Sequence, residues 1–224
     1  MTSAIIVAAG RGTRMGSNID KLFLEVAGRP VVAHTWSRFE ASDVVDEIVL
    51  VVRSGMEAEF SRMARTFQFA KTHRFAVGGA ERQDSVWNGL QALDNRADLV
   101  AIHDGARACV SLELISATVR AAQDYGAAAA AQRVTDTIKE SADGFTISRT
   151  VERSKLWSVQ TPQCFRVPLI RRALETARAR RLHLTDDTAA CELIGQPVVL
   201  VESKQANPKV TVAADLPLIA SLLS

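Results

Sequence analysis

The sequence predicts an α/β fold in which a doubly wound, mostly parallel, Rossmann-like sheet carries a projecting β arm. Short β-branched runs alternate along the chain with segments whose apolar residues recur every three or four positions, a pattern typical of strands and helices packed in layers. The runs at 4–8, 47–52 and 99–103 are apolar at successive positions, as expected for strands covered on both faces. The runs that follow 127–132 are too short and too polar for central strands, and this indicates the arm.

Helices are predicted in the segments between these strands. Val86, Leu90 and Leu93 show the expected spacing of three and four residues. Ser111 is a suitable N-cap for one of these helices, because its hydroxyl can accept a hydrogen bond from the first turn. The predicted helices cover 31–41, 56–67, 84–93 and 112–125.

The chain after the arm returns to core elements. One helix is predicted from about Val167 and another after Thr185, with Thr185 or one of the two acidic residues that follow it as the cap. A strand at 198–202 and a helix from Asp215 complete the chain. We treat residues 1–224 as one domain, since no repeat or low-complexity linker divides them.

The arm is predicted to cover about residues 134–158. Two short β segments, 135–138 and 145–151, flank a turn at 141–144. A hairpin of this size buries little apolar surface by itself. We therefore expect the arm to lean on a second copy of the chain and to form a homodimer.

Composition argues against several classes of partner. The formal net charge is +2 and aromatic residues make up 5% of the chain, which is a poor basis for binding nucleic acid. The first apolar run ends at Gly10, too early for a signal or a membrane span, so no membrane partner is expected. The three cysteines, Cys109, Cys164 and Cys191, form no C-x-x-C pair or disulfide framework, which favours the reducing cytoplasm.

A glycine loop follows the first strand. The loop at 8–16 contains three glycines, which let the backbone approach an anion and turn its N–H groups inward. Met15 breaks the G-x-G-x-x-G motif, and no Gly-Lys-Ser/Thr sequence ends the run as in a P-loop. What remains is a nest of backbone donors with Arg14 and Lys21 beside it, which suits a polyphosphate whose charge shifts during reaction.

The same loop resembles the A-A-G-x-G-x-R-M signature of sugar-nucleotide pyrophosphorylases, with Lys21 following it. Further segments, in order along the chain, are similar to motifs of one family in that superfamily, the 2-C-methyl-D-erythritol 4-phosphate cytidylyltransferases. The resemblance spans about residues 5–216. The matching segments are 78–86, 103–107, 135–139, 150–153, 161–163 and 207–211.

The resemblance implies an activity. An enzyme of this family transfers the cytidylyl group of CTP to 2-C-methyl-D-erythritol 4-phosphate, in isoprenoid precursor biosynthesis, and releases pyrophosphate. The acceptor phosphate attacks the α-phosphorus directly, so catalysis consists of positioning and charge stabilisation. Mg²⁺ is the expected cofactor, bound mainly through the CTP phosphates, with Asp104 as the candidate for a further contact through water.

The resemblance also assigns residues to the two substrates. Ser85 and the backbone of three other residues are expected to recognise cytosine, and Arg153 is expected to reach the acceptor bound by the other subunit. The expected nucleotide-binding residues are Ala8, Ala9, Gly10, Gly12, Arg14, Lys21, Gly79, Arg82 and Ser85, of which Ala8, Ala9 and Gly79 supply the backbone groups. The expected acceptor-binding residues are Asp104, Arg107, Thr137, Arg153, Thr161 and Lys209. The expected catalytic residues are Arg14, Lys21, Arg153 and Lys209.

Three other functions stay open at this point. A ribitol 5-phosphate cytidylyltransferase shares these motifs and differs in its acceptor pocket. A guanylyltransferase of cofactor biosynthesis shares the first loop but not the later segments. A catalytically silent nucleotide-sensing module has no need for the full set of charged residues, and pyrophosphate release would exclude it.

The substitution Lys21→Ala tests the charge assignment. Removing a cation that neutralises the α-phosphate or the leaving group costs on the order of 3 kcal/mol. We therefore expect turnover with CTP and the acceptor, measured by pyrophosphate release, to fall about a hundredfold. Near-normal turnover of the variant would contradict the role of Lys21.

Overall fold

The computed structural model describes residues 1–10 and 20–223. The predicted roles of Gly12 and Arg14 fall outside the described residues. The described strands are β1 (Thr2–Val7), β2 (Glu25–Val26), β3 (Arg29–Pro30), β4 (Glu47–Val52), β5 (Thr72–Val77), β6 (Leu99–Asp104), β7 (Ala127–Arg133), β8 (Lys139–Glu140), β9 (Arg149–Thr150), β10 (Trp157–Arg166) and β11 (Val199–Glu202). The described α-helices are α1 (Val31–Glu40), α2 (Glu57–Thr66), α3 (Arg82–Gln91), α4 (Leu112–Tyr125), α5 (Val167–Ala179), α6 (Asp187–Glu192) and α7 (Leu216–Leu223).

A central sheet of seven strands organises the described part of the chain, in the order β11-β7-β10-β6-β1-β4-β5. Neighbouring strands in it are parallel except for β10, which runs antiparallel to both β6 and β7. At the centre, Ile5 of β1 lies opposite Val49 of β4 and Ile102 of β6. The predicted mostly parallel α/β sheet is confirmed.

Helices cover both faces of this sheet. Successive side chains of β1 point to opposite layers, as the pleat of a strand requires. Ile6 packs in one apolar cluster with Trp36 of α1, whereas Ile5 packs in a second cluster with Leu90 of α3 and Ile170 of α5. In the described part of the chain no helix is long and apolar enough to cross a membrane.

The predicted helices lie close to their expected positions. The helix predicted at 112–125 is α4, and the Ser111 hydroxyl accepts a hydrogen bond from the Leu114 backbone N–H at 3.2 Å, as expected of an N-cap. At α6 the cap is Asp186, which accepts from the Ala189 backbone N–H at 3.0 Å.

Two strands of the central sheet, β5 and β10, were not predicted from the sequence. β5 lies at the edge of the sheet and exposes Thr72 and Arg74, so it lacks the continuous apolar run of the inner strands. β10 contains Pro162, which argues against a central strand because proline cannot donate a ladder hydrogen bond. The proline is accommodated by an irregularity between Val159 and Gln163, where the register with β7 shifts.

The arm is present but is built differently from the prediction. Its two strands, β8 and β9, are shorter than the predicted segments 135–138 and 145–151, and only the second overlaps its prediction. Asp143 explains the late start of the second strand: its carboxylate accepts hydrogen bonds from the backbone N–H groups of Phe145 and Thr146, so these residues form the turn and not a ladder. The arm also ends before 158, because Trp157 and Ser158 already pair with β7 in the central sheet.

Chain direction brings distant segments to one edge of the sheet. The carboxyl ends of β1, β4 and β6 meet there, and the antiparallel β10 begins there. Backbone hydrogen bonds continue past the strand ends: Ala8 donates to the Val51 carbonyl at 2.7 Å, and Gly105 donates to the Val7 carbonyl at 3.0 Å. This edge therefore gathers short turns held at fixed spacing.

The packing of α3 gives a stability prediction at Gly89. A Cβ atom built there would lie 2.9 Å from the Cγ2 atoms of Ile5 and Val51, which are both branched and fixed in the core. Gly89→Ala gains about 1 kcal/mol in helix propensity. Overpacking costs about 1–3 kcal/mol, so we expect a net loss of stability in urea unfolding. The exposed Gln91→Ala on the same helix is the control and should change stability by less than about 0.5 kcal/mol. A Gly89→Ala variant more stable than wild type would contradict this packing.

Candidate functional site

A cavity of about 440 Å³ opens at the carboxyl edge of β1 and β6. Its wall combines the end of β1, the turn that leads into α3, the turn after β6 and the segment 207–211. The lining residues are Val7, Ala9, Gly10, Lys21, Leu22, Gly79, Ala80, Glu81, Arg82, Asp104, Gly105, Ala106 and Lys209. The predicted site residues Ala9, Gly10, Lys21, Gly79, Arg82, Asp104 and Lys209 thus share one cavity.

A cluster of charges around Asp104 dominates this cavity. Lys209 Nζ lies 2.7 Å from Asp104 Oδ2, and Arg82 Nε lies 3.2 Å from Oδ1. Arg107 Nε approaches Oδ2 at 3.8 Å. Three cations therefore surround one carboxylate, and the cluster is net positive, which suits it to bind an anion.

Burial and neighbouring charges act in opposite directions on these groups. Burial alone would raise the pKa of Asp104, but the charges of Arg82, Lys209 and Arg107 outweigh it and hold that pKa well below its ordinary value. For Arg82, burial would lower the pKa, but the carboxylates of Asp187 and Asp104 outweigh it and raise the pKa above its ordinary value. Both groups are therefore ionised at neutral pH.

Asp187 belongs to this cluster although its sequence position indicated only a helix end. Its side chain is 1% exposed, and its Oδ2 accepts a hydrogen bond from Arg82 Nη1 at 2.8 Å. The neighbouring Asp186 performs the capping role that either residue could have filled. No pattern in the sequence distinguishes the two adjacent acids, because the distinction depends on how α6 packs beside α3 and β10.

Several hydrogen bonds tie the segment 207–211 to the rest of the edge, among them that of the Val210 N–H to the Ala106 carbonyl at 2.9 Å. Lys21 Nζ donates to the Val210 carbonyl at 2.8 Å. Arg107 Nη1 donates to the Asn207 carbonyl at 2.7 Å, and Asn207 Nδ2 donates to the Thr161 carbonyl at 2.9 Å. These bonds fix the backbone on both sides of Lys209 and so direct its side chain to Asp104.

Thr161 supports Asp104 from below the cavity. It lies in the irregular part of β10, is 3% exposed, and its hydroxyl accepts a hydrogen bond from the Asp104 backbone N–H at 3.1 Å. A bulge can re-aim a side chain in this way. The observed contact is structural, and the predicted contact of Thr161 with an acceptor stays a prediction.

A tight turn before α3 brings the backbone close to the end of β1. A Cβ atom at Gly78 would lie 2.2 Å from the Ala9 Cβ, and a Cβ atom at Gly79 would lie 2.2 Å from the Asp84 Cβ. Only glycine fits at both positions. Ser85 holds this turn, since its hydroxyl accepts from the Gly79 N–H at 3.0 Å. The Ala8 N–H donates to the Val51 carbonyl, so the backbone group of Ala8 that is left to bind a ligand is its carbonyl.

His103 has a structural position beside the cluster. It is fully buried and lies 4.9 Å from Phe39 between ring centroids. Its Nε2 lies 3.1 Å from the Arg107 carbonyl, which it can reach as a donor in the neutral ring. Burial lowers the pKa of His103 to about 4, so the ring is uncharged at neutral pH.

The described residues do not form a metal site of their own. No three His, Cys, Asp or Glu side chains are grouped to hold an ion in the described part of the chain. The two oxygens of Asp104 are already engaged by Arg82 and Lys209. A Mg²⁺ ion in this cavity would need the oxygen ligands of a bound polyphosphate.

The predicted arm residues lie apart from the cavity. Thr137 and Arg153 are exposed and do not appear among the described residues that line it. Arg153 Nη1 donates to the carbonyl of Thr135, within the arm. The chain by itself therefore does not bring Arg153 to Lys209, and the predicted delivery of Arg153 by a second subunit stays a prediction.

Comparison with known proteins gives one consistent family. The family model of 2-C-methyl-D-erythritol 4-phosphate cytidylyltransferase matches residues 2–224. A protein of that name from Geobacillus kaustophilus is 43% identical over 221 residues, which is 99% of this chain and 96% of that protein.

Solved structures agree with the family match. The crystal structure of 4-diphosphocytidyl-2C-methyl-D-erythritol synthase from Anaerococcus prevotii has a TM-score of 0.88 at 32% identity, covering 100% of this chain and 96% of that chain. The crystal structure of 2-C-methyl-D-erythritol 4-phosphate cytidylyltransferase from Thermus thermophilus has a TM-score of 0.81 at 33% identity, covering 99% and 98%.

The substitution Asp104→Asn tests the charge cluster. The amide keeps the shape of the side chain but removes the negative charge that Arg82, Arg107 and Lys209 share. Breaking a fully buried pair costs about 3–5 kcal/mol, and we expect about 2 kcal/mol here at pH 7 because Arg82 and Lys209 are partly exposed. Urea unfolding measures the difference, with the exposed Asp124→Asn as the control.

The pH dependence of that difference is a second readout. Folding lowers the pKa of Asp104, so its stabilising contribution is present above the unfolded pKa of about 4 and is lost as the pH falls below it. The stability gap between wild type and Asp104→Asn should therefore narrow below about pH 4. A gap that is absent at pH 7, or constant as the pH falls, would contradict the assigned cluster.

Proposed function

The chain belongs to the 2-C-methyl-D-erythritol 4-phosphate cytidylyltransferase family, and on that premise we propose that it transfers the cytidylyl group of CTP to 2-C-methyl-D-erythritol 4-phosphate. The reaction releases pyrophosphate. The family match confirms the resemblance drawn from the motifs.

The observation that carries the proposal is the cavity at the carboxyl edge, which is lined by the cations Lys21, Arg82 and Lys209, the last two paired with the carboxylate of Asp104. An oxygen of the acceptor phosphate forms a bond to the α-phosphorus of CTP, and the bond between that phosphorus and the oxygen bridging to the β-phosphate breaks. The nucleophile is already an anion, so no general base is required. The cations neutralise the charge that develops on the phosphates.

Nucleotide recognition is proposed at the backbone around β1 and the turn before α3. Ala9, Gly10 and Gly79 line the cavity, and the two facing segments approach so closely that Gly78 admits no side chain. Backbone groups at this junction can pair with the edge of a cytosine. Ser85 contributes by fixing the turn, because its hydroxyl accepts the hydrogen bond of the Gly79 N–H.

CTP is proposed to enter as its Mg²⁺ complex. The described residues offer no cage for the ion, whereas the triphosphate carries oxygen ligands of the kind that Mg²⁺ prefers. The proposed setting is the cytoplasm, which fits Cys109, Cys164 and Cys191, all buried and unpaired.

A homodimer built through the arm is proposed to complete the acceptor site. Phe145 and Ile147 at the tip of the arm are 92% and 66% exposed, an unusual placement for large apolar side chains in a lone chain. A second copy that covers them would carry Arg153 with its arm. A guanidinium can grip a phosphate in a bidentate manner, which fixes the orientation of the acceptor.

The acceptor distinguishes the two closest functions. Purified protein is incubated with CTP and Mg²⁺ together with either 2-C-methyl-D-erythritol 4-phosphate or ribitol 5-phosphate, and pyrophosphate release is followed. We expect turnover with the methylerythritol phosphate. Turnover with ribitol 5-phosphate but not with the methylerythritol phosphate would overturn the proposal. The absence of pyrophosphate release with both acceptors would also overturn it.

Subunit mixing tests the role of Arg153. If each site takes Lys21 from one chain and Arg153 from its partner, mixing inactive Lys21→Ala and Arg153→Ala variants yields hybrid dimers with one intact site. We expect part of the activity to return after mixing and subunit exchange, with hybrids verified by two affinity tags. Lys155→Ala, in the same arm, is the control and should retain activity alone. Hybrids that stay as inactive as their parents would place Arg153 in the site of its own chain.

A further inference from the structure

We infer that Asp187 is a positioning residue for the nucleotide site: its buried carboxylate holds the guanidinium of Arg82 in the cavity wall, ready for a phosphate of CTP. The inference rests on the proposed function, because it takes the ligand of the cavity to be CTP. Asp187 does not line the cavity and acts through Arg82.

The geometry of Arg82 carries the argument. Its Nε donates to Asp104 at 3.2 Å and its Nη1 donates to Asp187 at 2.8 Å, so two carboxylates grip one guanidinium from different sides. Within the described part of the chain, Arg82 donates hydrogen bonds to these two carboxylates alone, and it does so through Nε and Nη1. Its Nη2 group donates none to these residues. Because Arg82 lines the cavity, Nη2 is the group that remains for an anion.

Asp104 alone would be a poor anchor for Arg82. Its carboxylate is shared with Lys209 at 2.7 Å and with Arg107 at 3.8 Å, so Arg82 competes there with two other cations. Asp187 has no such competition, since Arg82 is the one cation within ion-pair distance of it among the described residues. The dedicated contact is therefore the one to Asp187.

The position of Asp187 is itself fixed by β10. Gln163 accepts a hydrogen bond from the Asp187 backbone N–H at 3.1 Å and donates to Asp186 Oδ2 at 2.9 Å. The side chain of Gln163 is buried in the central sheet, which makes this clamp rigid. A carboxylate held this way orients Arg82 before the nucleotide binds, and a preorganised donor loses less entropy on binding.

The experiment measures CTP binding without acceptor, by titration calorimetry, in wild type, Asp187→Asn, Arg82→Gln and the double variant. The neutral amide is a weaker acceptor for the Arg82 guanidinium than the carboxylate, so we expect Asp187→Asn to weaken CTP binding about tenfold. In the Arg82→Gln background the same change should weaken binding less than about twofold, because its effect passes through Arg82. A general structural role would give equal losses in both backgrounds.

The matched control is Glu192→Gln, which removes an exposed carboxylate at the other end of α6 and leaves Asp186, Asp187 and Gln163 unchanged. CTP binding by this variant should change less than about twofold. Thermal unfolding accompanies each variant. The series is repeated with Asp187→Ser, whose smaller hydroxyl leaves room for water beside Arg82, so that loss of the fold with one replacement does not end the test.

Several results would overturn the inference. They are a folded Asp187→Asn variant that binds CTP as wild type does, an equal loss in the Arg82→Gln background, or a similar loss with Glu192→Gln. A wild-type protein that binds CTP but transfers its cytidylyl group to neither acceptor would overturn the proposed function. The binding series would still decide the role of Asp187. Wild type that does not bind CTP would overturn both.

Discussion

The charge of Asp104 is the constraint on which the functional edge depends. Three cations reach it from three parts of the chain: Arg82 from α3, Arg107 from the turn after β6, and Lys209 from the segment that follows β11. Like charges gathered at a partly buried edge repel one another with little screening. One carboxylate relieves that repulsion and leaves the cluster net positive. A net positive surface therefore exists in the chain without any ligand, and under the proposed function little reorganisation is needed when a phosphate arrives.

The direction of a single strand places that carboxylate. Because β10 runs against its neighbours, its irregular segment comes to the edge where β1 and β6 end, and the Thr161 hydroxyl receives the Asp104 N–H there. The carbonyl of Thr161 in turn accepts a hydrogen bond from the Asn207 side chain, and the Asn207 carbonyl accepts one from Arg107. A parallel strand at the same position would have brought its C-terminal end to this edge, and not the N-terminal half that contains Thr161. The antiparallel strand thus links the end of β6 to the segment around Asn207.

Local features of the site and fold could be predicted from sequence, whereas cooperative ones could not. Periodicity was sufficient for β1, β4, β6 and the helices, since each carries its apolar pattern within a few residues. The motifs also identified Lys21, Arg82, Asp104 and Lys209 as site residues, and the structure places all four in one cavity. The pairing of Arg82 with Asp187 depends on the packing of α6 against two other elements, and no local signal encodes it. The same holds for β10, whose proline is tolerated only because the register shifts around it.

The arm leaves the sheet and returns to it at adjacent positions. Arg133, the last residue of β7, lies opposite Trp157, the first residue of β10, so the intervening residues form an excursion with both ends pinned. Changing the length of such an excursion alters loop-closure entropy only slowly and leaves the strand register untouched. The fold therefore has a built-in insertion point, at which the arm can diverge in length and sequence while the junction of β1 and α3 keeps its geometry.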